Sequence, residues 1–415
     1  MREKILLCIV QLTNRSPWTP EDEDREMREL IHSCGGEVIE TIFCKAMPPT
    51  PSHLLTKGKV EEIAGRCAIG DIDAVVVASD LKGTQQRNLE EDFGVKTLDR
   101  TQVILDIFAK NATSLEGKMQ VELAQLSYLL PRLVGSNEEL SRLGGGIGTS
   151  GPGETKLEVD RRRISMRVSK LKKELKEITL SREVKRKKRH EHEIPTVALV
   201  GYTNAGKSTL LNAITNAGTK THDGLFTTLD SLSRQSNLPN HHKVVFSDTV
   251  GFMHDLPHGL IEAFKATLEE VSHADLLLHV IDISNPNFRN FYTSVNVVLE
   301  ELKVLDKPTI LVLNKIDQCE DHDRFREFNK SGIEYIGISA VKGENIHSLL
   351  LLVEEHLTAG SIEIDVVVPA GRMDLVNLAH THGQVEDVKF LAKGIRIKAL
   401  LPVKTAATIT RGAIK

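Results

Sequence analysis

The stretch VALVGYTNAGKST, residues 197 to 209, constrains this chain more than any other part of it. A strand-forming run gives way to Gly201, four residues, then Gly206, Lys207 and Ser208, and the helix-forming run KSTLLNAIT follows. That is the spacing G-x-x-x-x-G-K-[ST] set between a strand and a helix, the context in which such a loop wraps a phosphate chain. Glycines let backbone N–H groups converge on the anion, and the helix N-terminus adds the positive end of its dipole. The pattern places Lys207 to reach β- and γ-phosphates and the Ser208 hydroxyl to ligate Mg²⁺, with Gly201, Asn204, Ala205, Gly206 and Thr209 lining the same cradle.

Three later strand ends narrow the base. VVFSDTVGF ends a strand on Asp248, placed to hold the Mg²⁺ shell directly or through water, and its Gly251 offers an N–H to a γ-phosphate. ILVLNKID ends another on Asn314, Lys315 and Asp317; a carboxylate at Asp317 accepts the N1 and N2 protons of guanine, which adenine does not present. IGISAVKG supplies Ser339 and Ala340, where a backbone N–H meets the guanine O6. Four such signals in this order, each at the carboxyl end of a strand, predict GTP and GDP as ligands.

The chain has 415 residues, enough for several domains, each with its own core. Its expected class is multidomain α/β. Residues 1–100 alternate strand and helix patterns, predicting an N-terminal α/β domain with a mostly parallel sheet. Residues 101–194 read as a long antiparallel helical hairpin. Ile104, Ile107, Phe108, Leu123, Leu126 and Leu130 form one arm's stripe, Ile164, Val168, Leu171, Leu175 and Ile178 the other's, and the arms have comparable length. Pro195 ends it. Residues 195–357 are the phosphate-loop domain, a mostly parallel sheet with one antiparallel edge and helices on both faces, and 358–415 a small α+β C-terminal domain.

These motifs, together with QQRNLEEDFGVKTLDRTQVILDIFA, KMQVELAQLSYLLPRL, GGGIGTSGPGETKLEVDRRRI and LFTTLDSL, resemble those of the HflX family of translation-factor-type GTPases. The resemblance covers most of residues 55 to 357; the beginning and the tail after 360 match more loosely. It implies GTP hydrolysis, with Lys207, Thr228 and Gly251 in catalytic roles. Thr228 matches the family's Mg²⁺-sensing threonine, with Thr227 its immediate competitor. It also implies a partner, the large ribosomal subunit and its RNA, and a GTP cycle that splits or rescues ribosomes. A GTPase acting on tRNA modification or ribosome assembly is the alternative.

Residues 144 to 156, GGGIGTSGPGETK, contain G-x-G-x-x-G at Gly146, Gly148 and Gly151. No strand precedes them and no β-α-β unit encloses them, so they are not a dinucleotide fingerprint. A flexible linker and an amide nest for a small anion are two readings. The favoured third is a side-chain-poor tip that enters an RNA cavity, because fourteen Lys or Arg stand against three Glu between Arg161 and His190, a local +11 in a chain whose net charge is -4. Phe252 follows Gly251 where many small GTPases carry a water-positioning glutamine, which predicts slow intrinsic hydrolysis stimulated by the ribosome. Asn204 is a candidate for a K⁺ ion beside the phosphates or, equally, for an internal turn bond.

Other features carry less. The histidines of RHEHEI and NHHK read as solvated, and KGKVEE, Lys57 to Glu62, reads as a helix start before it reads as a second nucleotide site for ATP. Five scattered cysteines without C-x-x-C read as reduced thiols. With no export signal and no apolar run near 18 residues, the expectation is a cytoplasmic monomer without a membrane span.

Overall fold

A computed structural model of the chain describes residues 2–11, 18–45, 49–133, 156–191, 194–215, 232–254, 268–319, 321, 323–329, 333–358 and 361–414. Two compact units emerge. The first holds the described residues up to Leu180 with Met253 and His254, and the second those from Ser181 to Phe252 and from Leu268 onward.

In the first unit, β1 (Glu3–Gln11), β2 (Gly36–Lys45), β3 (Ala74–Val77) and β4 (Lys96–Asp99) make an all-parallel sheet in the order β2-β1-β3-β4. Helices α1 (Pro20–Cys34), α2 (Lys57–Ile69) and α3 (Gly83–Phe93) provide the crossovers. The start of α1 is written locally: Thr19 and Asp22 form a capping box, Pro20 opens the helix, and Gly35 ends it at φ 98°. Leu6, Cys8, Val75 and Val77 pack with Leu55, Ile63 and Leu89 to form the core on one face.

One sequence expectation fails here. The periodicity joins the stretch from 97 to 135 into a single arm, but the structure breaks it into α4 (Arg100–Asn111) and α5 (Leu115–Arg132). The Ser114 hydroxyl accepts the Gly117 N–H at 2.8 Å and starts a new helix, so a local cap overrides a continuous apolar stripe. The following helix, α6 (Lys156–Glu191), runs 36 residues against 18 for α5, so the two are not of comparable length. Leu123 on α5 packs with Leu171 and Leu175 on α6, and Arg167 forms a two-pronged ion pair with Glu122 at 2.6 Å. The glycine-rich stretch from 144 to 155 lies outside the described residues, as do Thr227 and Thr228.

The second unit is built on β5 (Thr196–Gly201), β6 (Ser233–Asn237), β7 (Lys243–Asp248), β8 (Leu276–Asp282), β9 (Thr309–Asn314) and β10 (Tyr335–Gly337), ordered β10-β9-β8-β5-β7-β6. Every pairing is parallel except β6 on β7, the antiparallel edge the sequence predicts. On one face α7 (Lys207–Thr215) and α10 (Ile346–Thr358) pack against Val197, Leu199, Leu278 and Val280. On the other, α8 (Phe288–Glu301) and α9 (Asp323–Asn329) cover Ile281, Ile283, Leu311 and Leu313.

A separate core closes the chain. The antiparallel sheet of β11 (Ser361–Val368), β12 (Gln384–Leu391) and β13 (Gly394–Pro402), ordered β11-β13-β12, packs on α11 (Met373–His382) and α12 (Val403–Arg411) through Val368, Leu375, Ile397 and Ile409. Among the described residues no helix is long and apolar enough to cross a membrane. The five cysteines are free thiols, four buried and Cys34 half-buried; burial pushes the Cys34 thiol up to about 12.

Candidate functional site

The sheet order reverses direction at β5, the topological switch point where open α/β sheets bind ligands beyond their strand ends. The carboxyl ends of β5, β7, β9 and β10 bring the sequence-predicted residues to that edge from four separate stretches of chain. Gly201 ends β5, Asp248 ends β7, Asn314 ends β9, and Ser339 and Ala340 follow β10.

Lys207 is buried, and its Nζ donates to the carbonyls of Gly201 at 3.0 Å and Tyr202 at 2.8 Å. Burial lowers its pKa to about 8, partly offset by the Asp248 carboxylate. These two loop carbonyls are neutral acceptors for a desolvated cation, so an anionic phosphate would satisfy Lys207 better than its present partners do. The Ser208 hydroxyl donates to Asp248 Oδ2 at 2.6 Å, with Asp248 fully buried. A hydroxyl and a carboxylate are hard oxygen donors on adjacent strand and helix ends, a donor set that fits Mg²⁺.

Close packing dictates the glycines at two positions. Gly206 has φ 91°, and a Cβ there would stand 2.2 Å from Asn314 Nδ2. Gly251 lies against the loop: an added Cβ would fall 2.8 Å from Thr203 Cγ2 and 3.2 Å from Lys207 Nζ. The chain after it is zipped to the loop as well. Phe252 donates its N–H to Gly201 O at 3.1 Å and accepts the Thr203 N–H at 2.8 Å. Its ring is buried, so nothing at this position can orient a water.

Asn314 ties the loop to the β10 turn. Its Nδ2 donates to Ala205 O at 2.8 Å and its Oδ1 accepts the Ala340 N–H at 3.1 Å, Ala340 being one of the two residues whose backbone sequence reasoning offers to a guanine O6. Lys315 has left-handed backbone at φ 64°, followed by a 3-10 turn, Ile316–Gln318, that carries Asp317. The Ser339 hydroxyl accepts the Lys342 N–H at 3.2 Å. Asn204 is exposed and left-handed at φ 61°; Thr209 occupies the first turn of α7.

Sequence reasoning missed three residues at this edge. Tyr202 stacks on Phe291 with ring centroids 4.1 Å apart. His279, in the middle of β8, is buried, stacks on Tyr292, and has no hydrogen-bond partner for Nε2 among the described residues. Burial, and then the Lys207 charge, lower its pKa to about 3, so it is neutral near pH 7. Asp282 pairs with Lys315 at 2.7 Å. The apolar setting of His279 and the polar end of LLLHVIDIS were the available signals.

A phosphate loop and a guanine-type strand end on one sheet edge define the class of P-loop GTPases. Sequence comparison agrees along most of the chain: the models of the families described as "GTP-binding GTPase N-terminal", "GTP-binding GTPase Middle Region" and "50S ribosome-binding GTPase" match residues 21–109, 111–189 and 196–315. Among curated relatives, the "GTPase HflX" of Caldanaerobacter subterraneus subsp. tengcongensis is 46% identical over 384 residues, 92% of this chain and 88% of the relative. That of Lacrimispora saccharolytica is 40% identical over 100% of this chain and 97% of the relative, and that of Escherichia coli K12 42% identical over 80% and 79%. The chain belongs to the HflX family of GTPases. It is an enzyme that hydrolyses GTP.

Proposed function

We propose that this GTPase binds the large ribosomal subunit in its GTP form and couples hydrolysis to ribosome splitting or rescue. The observation that carries the reading is that one chain holds both a phosphate edge and a long basic helix. On α6, Arg161, Arg162, Arg163, Lys170, Lys172, Lys173 and Lys176 are exposed while Leu171 and Leu175 are buried, so the helix turns a strongly basic face to solvent, the kind of face that attracts a polyanion. The description of the family model matching residues 196–315, "50S ribosome-binding GTPase", supports the same partner. RNA of the subunit is then the polyanion, and the glycine-rich stretch at 144–156 the tip that enters it.

In this reading residues 1–100, 101–194, 195–357 and 358–415 act as four parts, with the cycle run in the third. Gly201, Asn204, Ala205, Gly206, Lys207, Ser208 and Thr209 hold the phosphates. Asn314, Lys315, Asp317, Ser339 and Ala340 hold the guanine. Ser208, Thr228 and Asp248, the last directly or through water, would hold Mg²⁺, which when bound would neutralise developing phosphate charge. Gly251 offers its N–H to the γ-phosphate, and Asn204 would hold a K⁺ ion, which when bound would supply a fixed positive charge. Since Phe252 is buried and apolar, intrinsic hydrolysis is slow and the ribosome accelerates it.

Co-sedimentation with purified large subunits tests this. Binding under a non-hydrolysable GTP analogue, weak binding under GDP, and a steep loss with salt are expected. Equal binding in both states, or none, would overturn the ribosome reading and leave the GTPase without this partner; tRNA and subunit-assembly intermediates would be the next ligands.

A further inference from the structure

Asp282 is a half-buried carboxylate outside the phosphate and base contacts described above. It ends β8 directly opposite Asn314 on β9. Its orientation is set before any ligand arrives. Oδ1 accepts the Ser284 N–H at 3.0 Å and the Ser284 hydroxyl, which turns Oδ2 to Lys315 Nζ at 2.7 Å. The loop behind it is fastened from two sides. Arg324 Nη1 donates to Ile283 O at 2.7 Å and Ser284 O at 2.9 Å, and the Ile283 N–H donates to Asn314 O at 3.1 Å.

The pair differs from a surface ion pair in two respects. Only 14% of the Asp282 side chain and 21% of the Lys315 side chain are exposed, so water screens it little. The lysine it holds also has a left-handed backbone, a conformation uncommon for a residue of this type that persists only where its surroundings enforce it. That residue begins the short turn on which Asp317 sits.

We propose that Asp282 is a positioning residue for guanine recognition. By holding the Lys315 side chain it fixes the left-handed turn, and through the turn it fixes the direction in which Asp317 presents its carboxylate to the base. It acts through Lys315 and touches no nucleotide. The proposal rests on the assignment of Asp317 to guanine.

The test measures GDP, IDP and ADP affinity of the full-length protein, with Asp282→Ala, Lys315→Ala and the double variant beside it. IDP lacks the exocyclic amine that a well-aimed Asp317 accepts. Asp282→Ala is expected to weaken GDP about tenfold and IDP much less, and to add no further loss in the Lys315→Ala background, because coupled residues are not additive. KM for GTP rises while kcat at saturation is kept. If Asp282→Ala does not fold, Asp282→Asn serves, since it keeps the acceptor for Ser284 and removes the charge. Equal losses for GDP and IDP, or a full second loss in the Lys315→Ala background, would make Asp282 a structural residue only. A wild-type protein with no preference for GDP over IDP and ADP would overturn the base assignment itself.

Discussion

The chain contains two largely parallel sheets, and among the described residues they treat the charges at their carboxyl edges differently. In the first unit the charge at the end of β4 is satisfied within the unit itself. Asp99, fully buried, accepts the Gln102 N–H at 2.8 Å, the Leu81 N–H at 3.2 Å and Arg132 Nη2 at 2.8 Å. Arg132 also donates to the carbonyls of Leu81 at 2.6 Å and Tyr128 at 3.0 Å, and its guanidinium lies 3.3 Å from the Tyr128 ring centroid. In the second unit Lys207 is equally buried, but its partners are two loop carbonyls. A parallel sheet therefore offers a place for an anion, and the difference lies in whether the chain satisfies its own charge there. A closed edge stabilises the fold; an edge held by weak neutral acceptors is ready for a phosphate.

Substitutions at the two edges should separate these roles. Lys207→Ala has the largest effect: GTP turnover falls by about 10²–10³-fold or more, while the thermal unfolding profile stays close to that of the parent. If the variant hydrolyses GTP normally, the open edge is not the phosphate site. Arg132→Met is the mirror experiment. It leaves Asp99 buried without its cation, which costs about 3–5 kcal/mol of stability by denaturant unfolding, and GDP affinity in the folded protein should not move. A loss of nucleotide affinity with stability unchanged would erase the contrast between the two sheets.

The smallest effect is a titration, and it sharpens the account of Lys207. Phosphate binds the charged amine, and the ligand-free amine titrates at about 8. GDP affinity should be flat below that pH and fall about tenfold per unit above it. The sign for ligand-free stability is opposite. The unfolded chain keeps this proton up to about 10.5, so unfolding takes up a proton between those values and stability rises with pH across the window. Flat GDP affinity up to pH 9.5 would mean that burial does not shift Lys207.

Much of this was legible in the linear chain because it is local. The strand, loop and helix around Lys207 and the antiparallel β6 on an otherwise parallel sheet are patterns of neighbouring residues, which set backbone geometry directly. The break at Ser114 was also local, yet hidden by an apolar stripe that runs through it. What sequence alone determined is the class of the fold, the phosphate loop and the strand ends that accompany it. Tertiary structure alone decided which charges are spent and which are left. The Asp99–Arg132 and Asp282–Lys315 pairs join residues 33 apart in each case, and His279 is neutral because of what surrounds it in space. Strand register and burial set those distances and those pKa shifts, and neither is a property of adjacent residues.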